Sequence, residues 1–464
     1  MRDAVSESYA TELAEAGARS GVDESVITGE ARLRGRRVAV VASEFTFLAG
    51  SIGRATADRL IAAIRRATAE GLPLVAAPAS GGTRMQEGTP AFLQMIRITE
   101  AVTAHKAAGL PYFVYLRHPT TGGVMASWGS LGHITVAEPK ALLGFLGPRV
   151  YEALYGAAFP SGVQTSENLY ERGLVDAVVP PEEIGEILHR ALEIVLPSRN
   201  LTEDVPAPAP DEVDEVETWE AVTRSRRAER PGVRRLLKFG ASDVVPLHGT
   251  GEGESDPALV MALVRFGSTS CVFLGQDRRG QGADHQMGPQ ALRQAHRGME
   301  LARELGLPLV TVIDTMGASL SAAAENGGMA GEIARSLATL VNLPVPTVSL
   351  LLGEGNGGGA LALIPADRVV AAQHAWLSPL PPEGASAIVY RDLDHAPQMA
   401  RSQQVRAHDL HRVGAVDRLI PEFPDAADEP EAFCRRVAEV LEYELVSLAR
   451  SGPSTPAQRA ERYA

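Results

Sequence analysis

Four apolar runs in this 464-residue chain lead straight into bends that carry glycine, and those bends are where its residue types could do chemistry. The first pair is Ala79-Ser-Gly-Gly-Thr-Arg-Met-Gln-Glu-Gly88 and Pro119-Thr-Thr-Gly-Gly-Val-Met-Ala126. The second is Asp314-Thr-Met-Gly-Ala-Ser319 and Gly353-Glu-Gly-Asn-Gly-Gly-Gly-Ala360. Glycine lets the backbone turn sharply and lets a ligand approach main-chain N–H groups with no Cβ in the way. A helix that starts just after the bend adds unpaired N–H donors and a partial positive charge. Two such bends converging on one point make an oxyanion hole, with donors near Gly82 and Gly123 in the first pair and near Gly317 and Gly358 in the second. Losing one donor from such a hole costs roughly 2.7–4 kcal/mol of barrier, enough to carry much of a reaction. The competing account is that the glycines only allow close helix–strand packing. Recurrence in both halves of the chain weighs against it.

Other constellations are poorer. Gly353, Gly355 and Gly358 match the spacing of a dinucleotide-binding loop, but the region about twenty residues on holds Gln373 and His374 rather than the acidic residue that would bind a ribose. His408 and His411 stand three apart on an expected helix with no third ligand evident, so surface histidines are the better account and no metal site is expected. No nucleophile-elbow serine or P-loop lysine is present. Chemistry here must lean on backbone donors.

The elements that position these bends repeat. Leu-Pro-Leu-Val starts at Leu72 and again at Leu307, and Gly122-Gly123 returns as Gly357-Gly358, a separation of 235 residues both times (307 − 72 and 357 − 122). Gly82 maps to Gly317 by the same interval, and Gly173-Leu-Val-Asp176 resembles Gly414-Ala-Val-Asp417 at 241 (414 − 173). A constant interval across several motifs indicates one folding unit duplicated and fused. Apolar runs at Val38–Ala42, Leu74–Ala77 and Tyr112–Leu116 alternate with helical stretches such as Ala55–Glu70. The pattern returns at Ser270–Leu274, Leu309–Ile313 and Thr347–Leu352. Short continuous apolar runs between helices predict buried, largely parallel strands in α/β layers. Pro206, Pro208 and Pro210, among Asp and Glu, mark Pro197–Glu217 as the linker.

Composition narrows the function classes. Lys and Arg number 44 against 57 Asp and Glu, a net charge of −13, which disfavours a nucleic-acid partner. Two cysteines, Cys271 and Cys434, cannot build a disulfide framework or a four-ligand zinc site, and a reducing cytoplasm fits. Met1–Gly17 lacks the apolar segment of a signal peptide, and the longest apolar stretches, such as Val345–Leu352, are too short to span a bilayer.

The strings Glu44–Ser51, Ser80–Glu87, Pro119–Gly123, Ala137–Ala141 and Gly144–Arg149 together resemble the β subunit of the carboxyltransferase of bacterial acetyl-CoA carboxylase, from about Val38 to Pro180. From about Trp219 onward, Ile313-Asp-Thr, Gly353-Glu-Gly355, Gly358-Gly-Ala-Leu-Ala362 and Pro382-Glu-Gly-Ala-Ser386 resemble its α subunit. The resemblance implies two crotonase-like domains in tandem, each a spiral of ββα repeats: 1–195, a linker at 196–218, and 219–464. It further implies carboxyl transfer from carboxybiotin to acetyl-CoA, giving malonyl-CoA, with separate biotin carboxylase and biotin carboxyl carrier proteins as partners. Gly82 and Gly123, flanked by Gly81 and Gly122, would hold the thioester oxygen of the CoA substrate. Gly317 and Gly358, with Ala318 and Gly359, would bind the ureido oxygen of biotin, whose freed nitrogen can take the α-proton. In this family the working site lies between a β-type and an α-type domain, so a homodimer or higher homo-oligomer is expected. Arg226 and Arg230, in a basic cluster with Arg227, Arg234 and Arg235, could hold CoA phosphates, a solvated basic helix being the alternative.

Three departures stand out. The family's N-terminal four-cysteine zinc ribbon is missing, so no zinc is expected. Gly317-Ala-Ser-Leu-Ser321 and Glu325-Asn-Gly-Gly-Met329 replace family patterns on the biotin side. Two alternatives therefore stay open: a biotin-independent acyl-CoA decarboxylase or hydratase using the first hole, with Glu87 as a hydratase acid, and a non-catalytic paralogue that binds CoA or partner subunits.

Overall fold

The computed structural model describes residues 7–196, 205–208, 213–282 and 286–464. The chain divides into two compact units, Met1–Leu192 with Gly251–Gly253, and Glu193–Thr250 with Glu254–Ala464. Most of the expected linker lies outside the described residues. Its described parts, 205–208 and 213–217, belong to the second unit.

In the first unit a six-stranded sheet has the order β1-β2-β3-β4-β6-β8, from β1 (Val26–Leu33), β2 (Arg36–Ser43), β3 (Leu74–Ala77), β4 (Tyr112–Leu116), β6 (Ile134–Ala137) and β8 (Ala177–Val178). Only the β1–β2 hairpin is antiparallel. A second small sheet pairs β5 (Thr120–Thr121) with β7 (Leu143–Gly144). Every residue of Tyr112–Leu116 is buried, as expected of a strand covered on both faces. The amphipathic helix Arg54–Ala69 contributes Leu60, Ile61 and Ile64 to the core, and Gln94–Ala107 contributes Ile98, Ala101 and Val102.

The second unit carries β9 (Asp243–Leu247), β10 (Leu259–Phe266), β11 (Thr269–Gln276), β12 (Leu309–Thr315), β13 (Thr347–Asn356), β14 (Arg368–Ala372), β15 (Trp376–Ser378) and β16 (Arg418–Ile420). Their order is β16-β14-β13-β12-β11-β10-β9, with β15 on the end of β13. Setting aside the extra edge strand β9, the order reproduces that of the first unit.

The duplication extends to register. Leu74↔Tyr112, Val75↔Phe113 and Ala76↔Val114 in the first unit match Leu309↔Thr347, Val310↔Val348 and Thr311↔Ser349 in the second, each shifted by 235 (309 − 74). At the last strand the shift has grown to 241 (418 − 177), as the late motif predicted. In each unit two neighbouring parallel strands, β3 with β4 and β12 with β13, therefore end side by side, and their C-terminal ends carry the glycine bends. Carboxyl ends of parallel strands are where open α/β sheets hold ligands. Among the described residues, no helix is long and apolar enough to cross a membrane.

Candidate active site: two paired glycine bends

In the first unit the bends meet. A Cβ built on Gly82, where φ is +105°, would lie 3.4 Å from Gly122 Cα and 3.5 Å from Gly123 N. One built on Gly122, at φ +65°, would lie 3.2 Å from Gly82 Cα and 3.6 Å from the Gly81 carbonyl oxygen. Positive φ calls for glycine at both positions, and at Gly122 the close approach to Gly82 adds to it. Gly122 N–H is used to fix the loop, donating to the carbonyls of Gly144 (3.2 Å) and Phe145 (2.9 Å), and Gly81 N–H donates to the Ala49 carbonyl at 2.8 Å. Gly123 N–H has no protein acceptor among the described residues.

The expectation that Gly82 itself presents a donor needs correcting. Its N–H donates to Ser80 Oγ at 3.0 Å. Arg84 N–H donates to the Ile52 carbonyl at 3.0 Å, and the intervening Thr83 N–H has no acceptor among the described residues. The donor position has moved by one residue, because the glycine's task is to turn the chain.

The second unit repeats this geometry. Gly317, at φ +121°, donates its N–H to Thr315 Oγ1 at 3.0 Å, Ser319 N–H donates to the Met287 carbonyl at 2.9 Å, and Ala318 N–H between them has no acceptor among the described residues. A Cβ on Gly317 would lie 3.6 Å from Asn356 Cβ. One on Gly359 would lie 2.8 Å from Met287 Cε and 3.1 Å from Ala318 N, so glycine leaves that amide uncovered. Gly357, Gly358 and Gly359 form the first turn of the short helix Gly357–Leu361, whose opening N–H groups have no partner within the helix. Asn356 caps that turn without a side-chain hydrogen bond, and its buried Oδ1 meets no donor among the described residues.

Side chains around the first bend are committed elsewhere. Arg84, 1% exposed, donates to Glu24, to the Ser51 carbonyl (2.9 Å) and to Tyr9 Oη (3.3 Å). Burial works against the charge on Glu24, but the hydrogen bonds from Arg84 and Ser25 N–H and the Arg84 charge together outweigh it and hold its carboxyl below the usual range. Glu87 accepts from Tyr9 Oη at 2.6 Å on Oε1 and from Arg54 N–H at 2.7 Å on Oε2. Glu87 thereby ties the Tyr9 phenol to the start of the helix Arg54–Ala69, a structural role. Burial and its hydrogen bond to Glu87 push the Tyr9 phenol up to about 12.

Much of the basic cluster is paired within its own unit. Arg230 is 6% exposed and donates to both oxygens of Glu422 at 2.6 Å and to the Leu352 carbonyl at 2.9 Å. Buried, with both Nη atoms held by Glu422 and Leu352, that guanidinium is not presented to a CoA phosphate, which corrects the expectation for Arg230. Arg226 donates to Glu354 (2.7 Å) and Glu383 (2.6 Å), with its guanidinium near the rings of Trp219 and Trp376. Glu354 lies above the usual carboxylate range because burial outweighs that contact, whereas for the more exposed Glu383 the same arginine overcomes a burial cost and lowers it. One cation is shared unequally by two carboxylates, and a phosphate would have to displace both. Arg227 pairs with Asp428 and Arg234 with Asp277.

His374, Glu422 and Asp425 bring possible ligand atoms within 4.8 Å of one another, a grouping the sequence did not suggest. The Arg230 guanidinium already fills the charge role of a metal there. His408 donates Nε2–H to the Val213 carbonyl at 3.1 Å, as a packing histidine would.

Comparison with known proteins agrees with this geometry. A carboxyl transferase domain model matches residues 3–453. The chain is 59% identical over 461 residues to a protein of Mycobacterium tuberculosis named a probable biotin-dependent acyl-coenzyme A carboxylase beta3 subunit, covering 99% of this chain and 92% of the relative. It is 36% identical to the acetyl-coenzyme A carboxylase carboxyl transferase subunits beta/alpha of Salinispora arenicola, covering 95% of this chain and 81% of that one. The crystal structure of transcarboxylase 12S, with methylmalonyl-coenzyme A and methylmalonic acid bound, superposes with a TM-score of 0.74 at 21% identity over 93% of this chain and 82% of its own. That likeness supports the expected fold, two crotonase-like α/β domains in tandem. With two paired bends, a duplicated framework and a family match along nearly its whole length, the chain belongs to the carboxyl transferase domain family, which includes the subunits of biotin-dependent acyl-CoA carboxylases.

Proposed function

We propose that this protein is the carboxyltransferase subunit of a biotin-dependent acyl-CoA carboxylase. It would move a carboxyl group from carboxybiotin, borne on a separate carrier protein, to the α-carbon of a short acyl-CoA. Acetyl-CoA, giving malonyl-CoA, is the substrate to test first, with propionyl-CoA beside it. The observation that carries this reading is the doubling of the bend pair: two groups of uncommitted backbone N–H donors, built on equivalent strands, suit a reaction in which two carbonyl-type oxygens gain negative charge.

Carboxybiotin, when bound, supplies the carboxyl group and leaves a ureido nitrogen able to take the substrate's α-proton. The chain's own task is electrostatic. In the first unit the N–H groups of Thr83 and Gly123 are the proposed donors to the thioester oxygen, with Gly81, Gly82 and Gly122 shaping the turn that lets the thioester approach. In the second unit the N–H of Ala318 and the first-turn N–H groups of Gly358 and Gly359 are the proposed donors to the ureido oxygen, with Gly317 shaping the turn. A Cβ at Gly359 would crowd Met287 Cε and the amide of Ala318, so glycine there lets the start of the helix sit close against that bend. A side-chain base is not needed, which agrees with the structural role of Glu87.

Biotin carboxylase and a biotinylated carrier are the proposed partners, together with further copies of this chain. Phe145 (73% exposed), Leu154 (69%) and Ile388 (67%) are apolar side chains open to solvent, surface of the kind a homo-oligomer would cover.

The test supplies the protein with biotin carboxylase, biotinylated carrier, ATP and labelled bicarbonate. Label should enter malonyl-CoA or methylmalonyl-CoA. No label in any short acyl-CoA overturns the reading. CO2 release from malonyl-CoA by a protein that fixes no label into any acyl-CoA would favour the decarboxylase, and CoA binding without turnover the non-catalytic paralogue.

A further inference from the structure

In both units three consecutive amides at the bend are disposed of identically. The first, Gly82 or Gly317, donates at 3.0 Å to the hydroxyl two residues earlier, Ser80 Oγ or Thr315 Oγ1. The third, Arg84 or Ser319, donates to the carbonyl of Ile52 or Met287, at 3.0 Å and 2.9 Å. The middle amide, Thr83 or Ala318, is left without an acceptor among the described residues. All these residues obey the 235-residue interval (315 − 80 and 287 − 52).

The hydroxyls are themselves held. Ser80, 0% exposed, donates to the Gly50 carbonyl at 2.6 Å, and Thr315, 2% exposed, donates to Gln281 Oε1 at 2.6 Å. A hydroxyl has one proton. With it directed to those acceptors, a lone pair must face the glycine N–H. The two onward partners differ in kind, a main-chain carbonyl in one unit and a side-chain amide in the other. The hydroxyl-to-glycine bond was therefore kept while its surroundings diverged, more than close packing alone would demand.

We propose that Ser80 and Thr315 are equivalent positioning residues. Each one engages the glycine N–H so that the next amide, of Thr83 or Ala318, faces the ligand. This deepens the carboxyltransferase reading and rests on it. Ser80 would then control the acyl-CoA side and Thr315 the biotin side.

Two partial reactions separate the sides. Release of CO2 from malonyl-CoA without carrier breaks the Cα–carboxyl bond, places the electron pair on the enolate held at the first bend and takes a proton from water at Cα. Release of CO2 from N-carboxybiotin without acyl-CoA breaks the N–C bond, and the nitrogen takes a proton from water. Ser80→Ala should slow the first by about tenfold to a hundredfold and leave the second near its wild-type rate, and Thr315→Ala should do the reverse. Thr315→Ser, and Ser80→Thr, which borrows the hydroxyl residue of the other unit, should restore most of the loss. Amide hydrogen exchange of the ligand-free protein gives a readout independent of activity: exchange at residues 80–84 should quicken in Ser80→Ala alone, and at 315–319 in Thr315→Ala alone. Equal loss of both partial reactions in either alanine variant, or failure of the hydroxyl-restoring variants to recover at unchanged melting temperature, overturns the proposal. A wild-type protein that catalyses neither release overturns the carboxyltransferase reading instead, even where the exchange pattern is as expected.

Discussion

Gly82→Ala separates the two tasks of the first bend, turning the chain and leaving a donor uncovered. An alanine there must adopt φ near +105°, a conformation L residues rarely take, and such strain costs about 1–3 kcal/mol. Steric overlap adds little, because the new methyl would lie 3.4 Å from Gly122 Cα and 3.5 Å from Thr121 O, ordinary contact distances. For a unit of this size each kcal/mol moves the melting temperature by roughly 2–4 °C. The same methyl would stand 3.5 Å from Gly123 N, where the ligand oxygen is proposed to bind. Loss of one donor raises the barrier by roughly 2.7–4 kcal/mol, about a hundredfold to a thousandfold in rate. Gly123→Ala is the matched comparison. Gly123 has an ordinary φ, and its added Cβ would meet Thr83 Oγ1 at 3.2 Å and Met95 Sδ at 3.3 Å, both of which can shift. Its N–H is retained, so its loss of turnover should be much smaller. The assay is labelled-bicarbonate incorporation into acyl-CoA at saturating carrier, with melting temperatures measured in parallel. Full turnover in Gly82→Ala, or an equal loss in Gly123→Ala, would refute the assignment of these amides.

Three further outcomes follow from the same geometry. Gly359→Ala brings a methyl to 3.1 Å from the backbone nitrogen of Ala318, which cannot rotate away, so carboxybiotin-dependent turnover should fall while malonyl-CoA decarboxylation is spared, as the two partial assays would read. Glu422→Gln leaves the buried Arg230 charge without its counter-ion and should cost about 3–5 kcal/mol in urea unfolding at pH 7. Burial opposes ionisation of Glu422, but Arg230 and His374 outweigh it and hold its folded pKa far below the unfolded value of about 4.3, so its contribution is fully present above that value and lost as pH falls further. Urea unfolding of the wild type should therefore weaken on acidification with a steeper slope than that of the Gln variant.

The spacing of glycines, strands and terminal motifs was enough to place both bends and the duplicated sheet, because those features are local in sequence and repeat. Register adds to this: β3 pairs with β4 and β12 with β13 at the same offset, so a fixed interval in sequence became a fixed neighbourhood in space. The errors fall where hydrogen bonding decides. Gly82 looked like a donor from its type and place, yet its N–H belongs to Ser80, and nothing in composition or periodicity says which of three successive amides faces outward. A signal was present all the same, since Ser80 and Thr315 are hydroxyl residues at the repeat interval. Arg230 was misjudged for a different reason: its partner Glu422 lies 192 residues away, and a cluster of arginines reads as a phosphate site only while its counter-ions are out of view. Among descendants of a duplicated gene, a polar residue that recurs in both copies beside a structural glycine is therefore the better guide to function. A charge cluster confined to one copy is a ligand site only where internal carboxylates leave it free, and here Arg226, Arg227 and Arg234 each have such a partner.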